Sequence, residues 1–232
     1  MPEKPDYKRV FICRPTPGLA AVAADYPGAH LWPIADVEPL PVSMPQGTDL
    51  LVLTSANAIP AVVGTSIPIA AVGPQTAAAA RAAGLTVALE GPGTVAGLCP
   101  LLQQNPARRL CHVHGDPAQL DWHQAIQPPQ EIAAVCGYRT IYKTTISPDI
   151  LAALRAEPAP MLTIWSPAAA HHLHRMLKQV MIDTNKCVAV CLSPAVAAAA
   201  QTLTARITVA AAPNRQAMWK KVTENVQNEK NS

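Results

Sequence analysis

Short apolar runs alternate along the chain with amphipathic or alanine-rich stretches of about ten residues, the pattern of strands followed by helices. Residues 9–13 (RVFIC) predict a strand, and 17–26 a helix with proline at its entry. Residues 30–34 and the proline-punctuated stretch to Val42 predict extended chain. Residues 49–53 (DLLVL) form a continuous apolar run, as a parallel strand buried on both faces requires. A helix is expected over 55–63, then a strand over 69–72, an alanine-rich helix over 74–83 closed by Gly84, a strand over 87–89 and a helix over 95–104.

The alternation then continues. Strands are expected at 109–113, 161–165, 187–192 and 207–210, and a long extended stretch at 131–145. Helices are expected at 117–126, 148–155, 168–179, 194–203 and 215–226, the last followed by a polar tail that frays. This predicts an α/β chain with parallel sheets, and so many strand–helix units point to two domains. One order of elements occurs twice: LLVLTSANAIP, IAAVGPQTAAAA and LTVALEGP are echoed by LTIWSPAAAHH, VAVCLSPAVAAAA and ITVAAAPN, as in duplication of a half-domain.

Composition narrows the class. Half of the 232 residues are apolar and 14% are charged, against roughly 25% in average chains, which excludes a disordered chain. With one Phe, four Trp and four Tyr, the core must be built from small and aliphatic side chains. The net charge of +3 is too weak and too scattered for a nucleic-acid partner. No 18-residue stretch is wholly apolar, so no membrane span is expected, and residues 1–9 lack the apolar core of a secretory signal. The six cysteines include no Cys-x-x-Cys pair and read as buried, reduced thiols of a cytoplasmic protein.

In open α/β sheets ligands gather beyond the carboxyl ends of the strands. That rule singles out four turns: Thr54-Ser55-Ala56-Asn57, Gly73-Pro74-Gln75-Thr76, Ser166-Pro167-Ala168 and Ser193-Pro194. Each offers hydroxyls or free backbone N–H groups that suit anions, and each also reads simply as a helix cap. No Gly-x-Gly-x-x-Gly, P-loop or Gly-x-Ser-x-Gly motif is present. In Cys111-His112-Val113-His114 the two histidines share one strand face and the cysteine takes the other, so no metal is expected. His171, His172 and His174 spread around a helix and read as a solvated or half-buried cluster. Tyr138 and Tyr142 share a strand face; there a phenol serves either as packing or as a proton donor to a leaving oxygen.

Taken in order, these segments resemble the uroporphyrinogen-III synthase family. The resemblance rests on Arg14-Pro15 after the first strand, residues 49–59 (DLLVLTSANAI), residues 71–77 (AVGPQTA), the 93–98 stretch, the 113–116 turn, Gly137-Tyr138-Arg139-Thr140, residues 164–167 and Ala212-Pro213-Asn214. Cys13, His114 and Val196 stand where the family has Thr, Arg and Thr.

The resemblance implies two parallel-sheet α/β domains joined by a two-stranded β linker, with one inserted into the other. Residues 1–36 and 144–232 make the discontinuous domain, 42–135 the inserted one, and 37–41 with 136–143 the linker strands that permit hinge motion. It implies a cofactor-independent cyclisation of hydroxymethylbilane with inversion of ring D and loss of water. Tyr138 is the implied catalytic donor. Arg14, Thr54, Ser55, Asn57, Gly73, Thr76, Gly115, Ser166, Ala168 and Ser193 are the implied substrate contacts, with no metal. A monomer is expected, with transient contact to the upstream hydroxymethylbilane synthase and neither nucleic acid nor membrane as partner. The alternative is a non-catalytic homologue that binds a tetrapyrrole or another polycarboxylate.

Overall fold

A computed structural model describes residues 6–23 and 26–230. The strands are β1 (Val10–Pro15), β2 (His30–Pro39), β3 (Leu50–Leu53), β4 (Ile69–Ala71), β5 (Val87–Glu90), β6 (Arg109–Asp116), β7 (Glu131–Tyr142), β8 (Met161–Ile164), β9 (Val188–Cys191) and β10 (Ile207–Val209). The α-helices are α1 (Thr16–Ala23), α2 (Pro74–Ala82), α3 (Val95–Gln104), α4 (Pro148–Ala156), α5 (Pro167–Gln179), α6 (Pro194–Ala200) and α7 (Arg215–Lys230). The chain divides into two units, Met1–Asp36 with Ile141–Ser232, and Val37–Thr140.

Both units use the same plan. In the first, the sheet order is β10-β9-β8-β1-β2; in the second it is β5-β4-β3-β6-β7. The neighbouring strands inside each run are parallel. The strand order therefore reverses at β8/β1 in one unit and at β3/β6 in the other. The repeated sequence segments supply the equivalent strands β3-β4-β5 and β8-β9-β10.

β2 and β7 each cross the unit boundary. Inside the first unit, Lys143 N–H donates to the Ile34 carbonyl; inside the second, Leu40 N–H donates to the Gly137 carbonyl. One strand number rises as its partner falls, which is antiparallel pairing.

Burial explains why short runs suffice as strands. Leu50, Leu51, Val52 and Leu53 are all buried, with alternate side chains serving the two faces of the sheet. Leu51 and Leu53 pack with Ile59, Val62, Ile69 and Val113; Leu50 and Val52 pack with Leu98, Leu102 and Ile126. In the first unit Phe11, Leu162 and Ile164 meet α4, α5 and α6 on one face. Val10, Ile12 and Val190 meet α1 and α7 on the other. Ser166 and Ser193 accept hydrogen bonds from the N–H groups of Ala169 (3.1 Å) and Val196 (3.4 Å), each with proline at the first helical position.

Three expected helices differ. Residues 56–61 form a 3-10 helix instead of an α-helix over 55–63. Pro60 inside it lacks the N–H for an α-helical bond, and its ring opposes the carbonyl four residues back. The helix expected over 117–126 is only a 3-10 turn at Asp121–Ala125, because 117–121 are exposed and offer no apolar face to bury. β6 runs on to Asp116 instead. The last helix continues to Lys230, anchored by buried Val226 and by Asn225, whose amide donates to Thr208 Oγ1 at 3.1 Å. Positions 24–25 of the first expected helix lie outside the described residues.

Phe11 is fully buried and stacks on His30 at 4.7 Å between ring centroids. Phe11→Ala is expected to destabilise the first unit by about 3–5 kcal/mol, measured as a lowered urea midpoint.

Candidate active site

The reversal of strand order opens a crevice at the carboxyl ends of the two strands that flank it. In the second unit these strands are β3 and β6, registered Leu53 against Val113. β3 ends into Thr54 and Ser55; β6 ends in His114, Gly115 and Asp116. The Ser55 hydroxyl accepts the Asn57 N–H at 3.2 Å and so starts the 3-10 helix.

Beside them Tyr138 on β7 is registered against Gly115. A Cβ added at Gly115 would overlap the Tyr138 ring, so the glycine is the seat of the phenol. The ring is half-buried against the Leu51–Val113 cluster, and its hydroxyl makes no hydrogen bond with the described residues.

On the opposite face of the same sheet lies a hydrogen-bonded chain. Thr54 Oγ1 is 3.0 Å from His112 Nε2, and His112 Nδ1 is 3.0 Å from His123 Nε2. His112 is 2% exposed, and Trp122 closes over it edge-on at 4.9 Å. Burial, with His123 and His114 nearby, holds the His112 imidazole down at about 3, so it is neutral at physiological pH. Burial and His114 lower His123 as well. His114 Nδ1 lies 2.9 Å from the Gly115 carbonyl. Among the described residues no group of three or more His, Cys, Asp or Glu side chains is placed to hold a metal.

In the first unit the corresponding strands are β1 and β8. Arg14 lies with its guanidinium 4.2 Å above the Trp165 ring, and its Nε is buried without a hydrogen bond to the described residues. Burial and the Arg215 cation pull the Arg14 value below that of a free guanidinium. Trp165 Nε1 donates to Thr163 Oγ1 at 3.1 Å, which fixes the ring under the cation. Tyr142, tilted against His172 with ring centroids 4.5 Å apart, is raised by burial, an effect partly offset by the Ser166 hydroxyl and Arg175.

The structure thus gathers Thr54, Ser55, Asn57, Gly73, Thr76, Gly115 and Tyr138 around the carboxyl edge of the second sheet. Arg14, Ser166, Ala168 and Ser193 lie at that of the first. Gly73 is needed there because a Cβ would run into the Gly93 backbone. Thr76 is buried on α2. Trp165 in the first unit and His123 in the second carry no sequence motif, whereas His112 lies in the Cys-His-Val-His run and Tyr142 on the strand face shared with Tyr138. His172 is not solvated but 6% exposed, because it faces Tyr142 and the α5 core. In the first unit an open depression lined by Glu157, Pro160, Asp183 and Lys186 lies at the amino ends of β8 and β9, the opposite end from Ser166 and Ser193. All six thiols are unpaired, and burial pushes Cys111 up to about 11 and Cys191 to about 12, which makes these two unreactive.

Two outcomes follow from this geometry. Because the folded His112 value lies below that of the unfolded chain, the unfolded state takes up the proton first as pH falls. Stability is therefore full above about pH 6.5 and declines towards pH 3, by up to about 1 kcal/mol per pH unit. Urea midpoints between pH 7 and 5 should show that slope, and His112→Gln should flatten it. Gly115→Ala should displace the Tyr138 ring and cost about 1–3 kcal/mol, read by tyrosine fluorescence and thermal unfolding.

Comparison with known proteins places the arrangement. The family model for Uroporphyrinogen-III synthase HemD matches residues 24–220. The crystal structure of uroporphyrinogen-III synthetase from Helicobacter pylori shares 15% identity, covering 92% of this chain and 98% of that one, with a TM-score of 0.67. A mutant uroporphyrinogen III synthase from the extremely thermophilic bacterium Thermus thermophilus shares 16%, covering 95% and 99%, with a TM-score of 0.52. At such identities the two structures speak for the mixed α/β fold with its mostly parallel sheet. No curated protein matches by sequence. The family match spans most of the chain: it belongs to the uroporphyrinogen-III synthase family.

Proposed function

We propose that this chain cyclises hydroxymethylbilane to uroporphyrinogen III without a cofactor. The substrate is a linear tetrapyrrole with eight carboxylates. Its hydroxyl departs to leave an azafulvene, ring D attacks through its substituted carbon, and a spiro intermediate fragments and recombines. The macrocycle then closes with ring D inverted and one water released. The precursor closes to the non-inverted isomer unaided, so the protein's task is to hold the chain where the hindered carbon attacks.

The observation that carries this reading is the family match over residues 24–220. The site residues fit the task. Arg14, Thr54, Ser55, Asn57, Thr76, Ser166 and Ser193, with the backbone at Gly73, Gly115 and Ala168, offer donors for carboxylates at the carboxyl edges of the two sheets. Tyr138 donates to the departing hydroxyl; its own hydroxyl has no protein partner to give up among the described residues. In the domain reading, 42–135 is inserted into the domain formed by 1–36 and 144–232, with 37–41 and 136–143 as linker strands. The protein acts in the cytoplasm as a monomer and meets the upstream hydroxymethylbilane synthase transiently.

Incubation with fresh hydroxymethylbilane, followed by separation of the oxidised uroporphyrin isomers, tests the reading. Isomer III in excess is expected; isomer I alone at the spontaneous rate sinks it and leaves a binding-only homologue. Tyr138→Phe should lower kcat by at least about tenfold with KM within about twofold. Unchanged kcat would return Tyr138 to packing.

A further inference from the structure

The Thr54–His112–His123 chain has a direction. His112 is buried, and both of its ring nitrogens are engaged at 3.0 Å, one by Thr54 and one by His123. A neutral imidazole has one N–H and one lone pair, so only two arrangements satisfy the chain. In one, Thr54 O–H donates to His112 Nε2, and His112 Nδ1–H donates to His123 Nε2. In the other, His123 Nε2–H donates to His112 Nδ1, and His112 Nε2–H donates to Thr54 Oγ1.

The second arrangement puts both imidazoles in the Nε2–H form, which a free neutral histidine side chain prefers; the first puts both in the disfavoured form. The second also survives protonation of His123, the half-exposed end, because the cation still donates from Nε2. In the first, a protonated His123 would oppose an N–H with an N–H.

We infer that Thr54, His112 and His123 form a one-way relay of hydrogen bonds that points the Thr54 hydroxyl proton out of the sheet edge as a donor for an anionic group. His112 and His123 are positioning residues: neither touches the anion, and together they decide whether Thr54 meets it with a proton or a lone pair. The surroundings support a polarised relay. Trp122 lies edge-on to both rings, at 4.9 Å from His112 and 4.4 Å from His123, and His112 itself is buried. Burial, then His123, and least of all His114 at 5.7 Å between ring centroids, keep His112 from taking a proton. The 3-10 turn at Asp121–Ala125 carries both His123 and Trp122, and buried Ile126 with the Gln127–Gln103 hydrogen bonds holds it in place against α3. That the anion is a substrate carboxylate rests on the proposed synthase reading; the direction of the relay does not.

Nitrogen-15 NMR of the histidine-labelled full chain reads the tautomers directly. At pH 7, His112 should carry its proton on Nε2 and leave Nδ1 bare; the opposite assignment overturns the relay. Kinetics with hydroxymethylbilane supply the second arm. His123→Phe removes the donor to His112 Nδ1 and should raise KM about tenfold with kcat within about twofold, the loss expected of one misdirected hydrogen bond. His123→Gln, whose amide N–H still donates, should hold KM within about twofold of the parent. Equal KM values for the Phe and Gln variants overturn the positioning role. If the parent protein yields isomer I alone, the synthase reading fails by itself, and the tautomer of the unmodified protein still decides the relay.

Discussion

A parallel strand with sheet neighbours on both edges and helices over both faces has no place along its length for an unpartnered polar group. Such groups are driven to its ends. The central strands here are of this kind: Leu50–Leu53, Met161–Ile164 and Val188–Cys191 are buried throughout. Because the strands of each unit are parallel, their ends coincide, and the hydroxyls, Arg14 and the helix starts collect along one edge of each sheet. His112 is an informative exception, as is Thr163 within β8, whose hydroxyl accepts from Cys13 N–H and Trp165 Nε1. His112 sits buried within β6 and is tolerated because Thr54 and His123 satisfy both of its nitrogens.

The two units meet this constraint in the same way. Each reverses its strand order once, and at each reversal a side chain of one strand lies against the end of its neighbour. Arg14 of β1 lies over Trp165 beyond β8, and His112 of β6 bonds Thr54 beyond β3. The chemistry differs where the plan does not. One edge presents a cation on an aromatic ring; the other presents a phenol on one face and, on the opposite face, a buried imidazole bonded to a hydroxyl.

Much of the fold is legible in the sequence because apolar runs and capping residues act locally. DLLVL and the Ser-Pro starts of α5 and α6 carry their own instructions. The failures come where local signals conflict. Ser55 announces a helix that Pro60 keeps in the tighter 3-10 form, and Pro117 announces one that has no apolar face to bury. In the candidate site, the turns are legible because hydroxyls beside helix starts are a short-range pattern. His112 and His123 are 11 residues apart, and Tyr142 and His172 further still; such pairings exist only once distant segments are packed. Spacing alone weighs the histidines near position 112 only as metal ligands, because the partner that explains them comes from a turn whose sequence reads as helix.

The order of strands along the chain also bears on how the molecule is made. The second unit is a single continuous segment, Val37–Thr140, and all of its strands are present once that segment has left the ribosome. The first unit is not: Phe11 of β1 is paired with Leu162 of β8, which is synthesised some 150 residues later. During translation β1 and β2 can pair with each other, but the other edge of β1 has no partner until β8 is made. Completion of β8 covers that edge, so the interval between the two is one in which an apolar strand edge is open to misassociation.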